Sequence, residues 1–391
     1  MRIRLYDVTR ITRTGLVPHS AIDAEDGAIT AVYDTLPAEE PGVRSVDAKG
    51  AYAAPGFIDI HLHGGGGVEF MDATPERIRA GCAAHARHGT TTLLPTTLAA
   101  SPELTLRMIR AVRQAQAATT ECTIAGVHLE GPFLSPAQSG AQSPDALSLP
   151  TPGLWDRLLD EWPGGVRIMG AAPELPGAMA LGEALRARGV VASIAHSDAD
   201  YETCRRALAC GFTDITHIYS GCSMVHRKNG YRFGGVVEAG LLEDAFTVQV
   251  IADGKHLPPE LLRLIVKCKG ADRISLITDA LFAAGSDLPD GSVLRQANGM
   301  ETVLEDGVMK LPDRQAFAGS VATMDRLVRN IVHLAGVPLW DAVAMATATP
   351  ARVIGLADRK GSLAPGFDAD IVLMDKQLNV KAVMARGQFV E

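Results

Sequence analysis

What this chain lacks narrows what it can be. Its six cysteines (Cys82, Cys122, Cys204, Cys210, Cys222, Cys268) include no Cys-x-x-Cys pair. Neither a thiolate metal site nor a disulfide scaffold is expected, and most of them read as small buried hydrophobes. Cys222 is set apart only because it falls close to the candidate chemistry below. Basic residues are in the minority, 37 Lys and Arg against 45 Asp and Glu, for a formal net charge of -8. With no dominant basic patch, nucleic acid is not an expected partner. No uninterrupted apolar run approaches the length that spans a bilayer, and the opening MRIRLYDVTRITRTG has no secretory apolar stretch. The expectation is a cytoplasmic enzyme with a small-molecule substrate and no membrane partner.

At 391 residues, 47% hydrophobic and 21% charged, the chain can bury a large core. One α/β barrel of about 250 residues plus a small extra domain fits that length. Residues 57–67 read FIDIHLHGGGG. Successive side chains of a strand point to opposite faces, so Asp59, His61 and His63 share one face while Ile58, Ile60 and Leu62 share the other. Two imidazoles converging at a strand end suit a metal ion, and Gly64 to Gly67 let backbone approach the same place. Taken alone, the pair also fits a polar face on an edge strand.

The same pattern, an apolar run ending in polar residues and followed by a helical stretch, recurs seven times. The copies are TTTLLPTT (90–97), TIAGVHLEGP (123–132), VRIMGAAPE (166–174), VVASIAHSD (190–198), FTDITHIYS (212–220), FTVQVIADG (246–254) and ISLITDAL (274–281). Helix starts lie between them at Thr74-Pro75, Ser101-Pro102 and Asp200. Strands alternating with helices predict a parallel sheet, and eight repeats predict a closed (β/α)8 TIM-like barrel with its chemistry at the C-terminal strand ends. The polar residues at those ends are His61, His63, Glu130, His196, His217, Asp253 with His256 just beyond, and Asp279. A lone histidine near a strand is ordinarily core or surface, which is the reading for His85, His88, His128 and His333. Four histidines and two carboxylates at matching strand ends are not explained that way.

Those residues, in HLH, HLEGPF, AHSDADY, THIY, IADGKH and ITDA, together with PGFIDIHLHGGGG, GTTTLLPTT and AGSVATMDRLVRN, resemble the amidohydrolase superfamily. Within it they look like the N-acetylglucosamine-6-phosphate deacetylase family. The resemblance implies a metal-dependent hydrolase barrel over residues 55–360, with residues 1–54 and 361–391 folded together as one small β-sandwich domain. It implies that Glu130, His196 and His217 hold one divalent metal, and that His61 and His63 with Glu130 hold a second. Asp279 is then both a metal-side ligand and the proton shuttle, and His256 an oxyanion donor. Zinc is the expected ion, with iron, manganese or cobalt also suited to such ligands. The implied reaction is hydrolysis of the acetamide of an N-acetylated amino sugar phosphate, carried out by a homodimer.

The chain departs from that family around the substrate. Where the family has Lys-Gly-Ala-His this chain has SGAQ, placing Gln142 at the histidine, and Ser220-Gly221 replaces Asn-Ala. The Arg-Glu-Pro-Gly loop becomes HRKNGYRFGG (226–235). Expected substrate contacts are Ala141, Gln142, Ser220, Gly221 and His256, with Arg227 or Arg232 meeting a phosphate through bidentate guanidinium bonds. These departures favour the alternative of another amidohydrolase acting on an N-acyl amino acid, a different N-acetylhexosamine phosphate or a cyclic amide. A barrel that has lost catalysis is disfavoured because every ligand and Asp279 are present.

Overall fold

A computed structural model describes residues 2–391. The eight expected strands are all present: β1 (Phe57–Leu62), β2 (Thr90–Pro95), β3 (Val127–Glu130), β4 (Val166–Ala171), β5 (Val191–Ile194), β6 (Phe212–Ile215), β7 (Thr247–Val250) and β8 (Ile274–Leu276). Parallel pairing joins β1 to β2 and runs unbroken from β3 to β8. Parallel bridges between Thr96 and His128 and between Leu62 and Ala280 close the ring.

The alternation of β1 sorts itself as its sequence dictates. Ile58 and Ile60 pack outward in one core cluster with Ala351 and Ile354. Asp59 turns inward, where its Oδ2 accepts from Thr278 Oγ1 at 2.5 Å. Full burial of each aliphatic side chain contributes about 1.5–3 kcal/mol, so a one-residue slip of this strand would be heavily penalised. The outer helices begin where the sequence signals them. Thr74, Ser101 and Asp200 accept from Arg77 N, Leu104 N and Thr203 N at the starts of Pro75–Ala86, Pro102–Ala118 and Tyr201–Ala209.

The chain ends meet in an eight-stranded sheet outside the barrel. Ile371–Met374 pairs antiparallel with Tyr52–Pro55, and Leu5, Ile22, Ile371 and Met384 share its core. Buried Lys360 ties this sheet to the barrel, its Nζ lying 2.6 Å from Asp370, 2.8 Å from Asp368 and 3.1 Å from Thr123 Oγ1.

One element was not expected from the sequence. After β8 the chain forms a four-stranded antiparallel sheet from Val293–Arg295, Glu301–Glu305, Val308–Lys310 and Phe317–Gly319. Its Asp-Gly turn signals at 290–291 and 306–307 are legible in retrospect. Among the described residues no helix is long and apolar enough to cross a membrane.

Candidate active site

The six polar side chains from five different strand ends converge in one buried cluster. Glu130 Oε1 lies 2.8 Å from His217 Nε2 and 3.2 Å from His196 Nε2. Glu130 Oε2 lies 3.4 Å from His63 Nε2, which is itself 3.2 Å from His61 Nε2 and 3.2 Å from Asp279 Oδ1. Two overlapping donor sets, His61 with His63 and Asp279, and His61 with Glu130 and His217, each fall within 4.8 Å. His196, His217 and Asp279 reach this point from left-handed backbone, with φ of 44°, 26° and 48°. Such conformations cost on the order of 1–3 kcal/mol each for non-glycine residues and cluster at functional sites.

The second nitrogen of each ring tests whether a cation suits the cluster. His196 Nδ1 faces Gln138 O at 2.8 Å, His217 Nδ1 faces Ser220 O at 3.0 Å and His63 Nδ1 faces Thr96 O at 3.3 Å. His61 Nδ1 faces Gln249 Oε1 at 3.0 Å. Carbonyl oxygens only accept, so every Nδ1 carries the proton and every neutral ring turns a bare Nε2 inward. Bare nitrogens would then meet bare carboxylate oxygens and one another at hydrogen-bond distance. The cluster has more acceptors than donors, a deficit that a divalent cation fills, and its outer partners are of the kind that orient metal-bound imidazoles.

Electrostatics agree with that reading. Burial alone would raise the Glu130 carboxyl, but the imidazoles of His61, His196 and His217 outweigh it and hold it well below the usual carboxylate range. Asp279 is likewise held below its ordinary value, against its burial, by His63 and His61. Burial would depress His63, yet Asp279 and Glu130 push it up to about 10. The carboxylates demand positive charge at this point, whether from a proton or a cation. Asp59, one layer deeper, is raised to about 6 by burial despite its bonds to Thr278.

The glycines after the histidines permit close passage of backbone. A Cβ on Gly64 would stand 2.2 Å from Val68 O, and one on Gly65 would stand 2.4 Å from His85 Nε2. Instead His63 N and Gly64 N both donate to Ala280 O, at 2.8 and 3.0 Å, fastening the His-x-His end to the residue after Asp279.

Above the cluster opens a cavity lined by Ala141, Gln142, Ser220, Gly221 and His256 as well as His63, Glu130, His196, His217 and Asp279. Several of the expected substrate contacts are engaged elsewhere. Gln142 is buried, its Oε1 accepting from Ala99 N and its Nε2 donating to Glu130 Oε2, both at 2.7 Å. Ser220 supplies the carbonyl that fixes His217. A Cβ on Gly221 would come within 2.7 Å of His196 Nδ1. His256 is anchored through Nδ1 to Asp253 Oδ2 at 2.8 Å. Arg227 and Arg232 face each other on an exposed hairpin, His226–Lys228 with Tyr231–Phe233, and are not among the cavity's lining residues. Cys222 is buried with its Sγ 3.8 Å from Thr216 O, its thiol pushed up to about 12 by burial, which leaves it inert at neutral pH.

The residues missed by sequence reasoning are Phe317, Leu98 and Gln249. Phe317 belongs to the unexpected sheet, lines the cavity and lies 4.9 Å from the His256 ring. Gln249 had a signal: it is a lone amide inside the apolar run FTVQV.

Comparisons with known proteins bear on the family and the fold. The model of the amidohydrolase family matches residues 52–390. The chain is 33% identical over 381 residues to the N-acetylgalactosamine-6-phosphate deacetylase of Escherichia coli O157:H7, covering 97% of this chain and 96% of that one. It is 31% identical over 391 residues to the N-acetylglucosamine-6-phosphate deacetylase of Lysinibacillus sphaericus, covering 98% and 96%. The crystal structure of N-acetyl-D-glucosamine-6-phosphate deacetylase from Mycobacterium smegmatis superimposes with a TM-score of 0.90 at 36% identity, covering 100% of both chains.

Proposed function

The chain belongs to the amidohydrolase family, and from that premise we propose that it is a metal-dependent deacetylase of N-acetylated amino sugar phosphates. N-acetylglucosamine-6-phosphate is the substrate we assign, giving glucosamine-6-phosphate and acetate. The observation that carries this reading is the pair of Nε2 atoms of His196 and His217 set against Glu130 Oε1 while both Nδ1 atoms are engaged by carbonyls.

Glu130, His196 and His217 would hold one ion, and His61 and His63 with Glu130 would hold a second. A mixed carboxylate and imidazole set favours zinc. A divalent cation bound there supplies Lewis acidity, polarising an amide carbonyl and bringing the pKa of water toward neutrality. Asp279, kept ionised by its surroundings, accepts the proton that water loses and returns it to the departing amine nitrogen. His256, fixed through Nδ1, offers its other nitrogen to the substrate, where one well-placed donor to a developing oxyanion contributes on the order of 3 kcal/mol. Arg227 or Arg232, outside the lining of this chain's own cavity, would meet the phosphate in the neighbouring subunit's site. In this reading the barrel, residues 55–360, is the catalytic unit of a cytoplasmic homodimer, and residues 1–54 and 361–391 support it.

A second reading is favoured by the Escherichia coli relative, whose name specifies the galacto epimer. Acetate release decides between them, measured with both hexosamine 6-phosphates, their unphosphorylated sugars and N-acyl amino acids, before and after chelation. The expected result is a preference for a 6-phosphate that disappears on chelation and returns with zinc. Preference for an N-acyl amino acid or an unphosphorylated sugar would overturn the assignment.

A further inference from the structure

His61 differs from the other three histidines of the cluster in what holds its outer nitrogen. His63, His196 and His217 rest on backbone carbonyls, whose polarity is fixed. His61 rests on a side-chain amide, and an amide has two faces. With Oε1 toward the ring, Gln249 makes His61 Nδ1 a donor and leaves Nε2 bare toward the cluster. Flipped, it would present N–H to the ring, forcing the proton onto Nε2 and closing that atom to any cation.

What prevents the flip lies one strand further round the barrel. Gln249 Nε2 donates to Asp214 Oδ2 at 2.7 Å, and a carboxylate oxygen offers nothing in return. Asp214 is fully buried, and its remaining partners are hydroxyls: Ser193 Oγ donates to Oδ2 at 2.9 Å and Thr247 Oγ1 to Oδ1 at 2.6 Å. Ser193 is in turn 2.7 Å from Thr216 Oγ1. Asp214 on β6, Gln249 on β7 and His61 on β1 all project inward and are all 0% exposed. Burying a carboxylate without a cationic partner is costly.

We propose that Asp214, acting through Gln249, sets the tautomer of His61 and thereby the capacity of the His61 and His63 end of the cluster to take a cation. Asp214 and Gln249 are positioning residues, and neither touches substrate. The proposal rests on the reading that the cluster holds metal, and the test separates the two.

The test uses the full-length protein stripped of metal and titrated with Co2+ alone. Uptake is followed by optical absorption, and imidazole 15N shifts report the tautomers of the stripped protein. Asp214→Asn and Gln249→Leu should each weaken binding at the His61 and His63 end by roughly 10- to 100-fold, the usual loss when an outer partner of a ligand is removed. The end built on Glu130, His196 and His217 should hold within about threefold of its own affinity, well inside that loss. The double variant Asp214→Asn with Gln249→Glu exchanges the amide and the carboxylate, keeps an acceptor on His61 Nδ1, and should restore binding and the Nδ1–H tautomer. If Asp214→Asn does not fold, Gln249→Leu and the double variant carry the same comparison. Unchanged affinities and tautomer, or equal loss at both ends without rescue by the exchange, overturn the relay. No Co2+ uptake by the unaltered protein would remove the metal reading itself.

Discussion

In the barrel mouth, His61, His63, Glu130, His196, His217 and Asp279 are at most 9% exposed, and each is fixed by at least one further partner. In the hairpin at 226–233 every residue is exposed, Tyr231 at 74%. The first arrangement is over-determined. Moving any one side chain breaks bonds to partners held on other strands or loops. The second is held by three cross-strand pairs and little else. Geometry is therefore expensive to change in the mouth and cheap in the hairpin, yet Gln142 and Ser220-Gly221 show that the mouth's outer wall also departs from the family pattern.

The comparison breaks most visibly at Glu130, whose two oxygens face both halves of the cluster. Glu130→Ala should lose bound metal and turnover together, to the background of the assay. His61→Ala or His63→Ala should remove only part of the metal. Elemental analysis alongside acetate release checks this, and full metal content in the Glu130 variant would sink the assignment.

Next in size is Asp279→Asn, which keeps shape but removes the proposed proton carrier. Metal should stay bound while turnover falls by ~10² to 10⁴, the range for general acid and base catalysis. Near-normal turnover would shift the shuttle to His256, the cavity-wall histidine outside the cluster.

How much of this was legible in the sequence follows from the same contrast. The period-2 alternation of FIDIHLH and its seven echoes fixes which residues face inward, and closure of eight strands does the rest, so the mouth could be read from strand ends alone. The sheet at 293–319 could not, because its short strands gain their stability from one another and from packing against Leu281, Phe282 and Ala283 in the segment after β8. Gln142 was read as a substrate contact, and only the folded structure shows its amide already bonded to Glu130 and Ala99. Asp214 and Gln249 were invisible as a pair, since adjacency across β6 and β7 is a matter of register.

A third prediction concerns what supports the mouth. His85 is buried, bonded to Gly64 O at 2.8 Å, and burial holds it down to about 4. The folded protein keeps this ring neutral where the unfolded chain protonates it, so its contribution is fully present above about pH 6.5 and is lost as pH falls toward 4. The loss is on the order of 3 kcal/mol. Replacing it as His85→Gln should flatten the fall in stability over that window relative to the parent, a difference in which the titration of the shared cluster residues cancels. Denaturant melts from pH 7 to 4 check it, and parallel slopes would show that His85 is not the group responsible.

On the hairpin the effects should be confined to recognition. Arg227→Ala or Arg232→Ala should raise KM for the phosphorylated substrate by roughly 10- to 100-fold, since a hydrogen bond to a charged group contributes about 1.5–3 kcal/mol. The unphosphorylated analogue should respond far less. Equal effects on both substrates would detach the hairpin from the phosphate and favour a loop shaped for a different acyl substrate.

The smallest effect should be that of Lys228→Ala. Lys228 carries the same charge as its neighbours and sits opposite Tyr231 in the hairpin register, but its ammonium is a compact, well-hydrated point charge that lacks the planar fork of a guanidinium. Exposed and without a packed environment, its loss should change stability by no more than about 0.5 kcal/mol, as is usual for surface substitutions. If phosphate binding depends on a fork at one position, KM should also move by less than about threefold, well below the loss expected for a charged hydrogen bond. If the hairpin acts through its summed field, Lys228→Ala should match the arginine variants, and all three differences should shrink together as salt shortens the Debye length from about 10 Å at 0.1 M to about 3 Å at 1 M. Measuring the three variants at both salt concentrations therefore separates a specific phosphate contact from diffuse attraction.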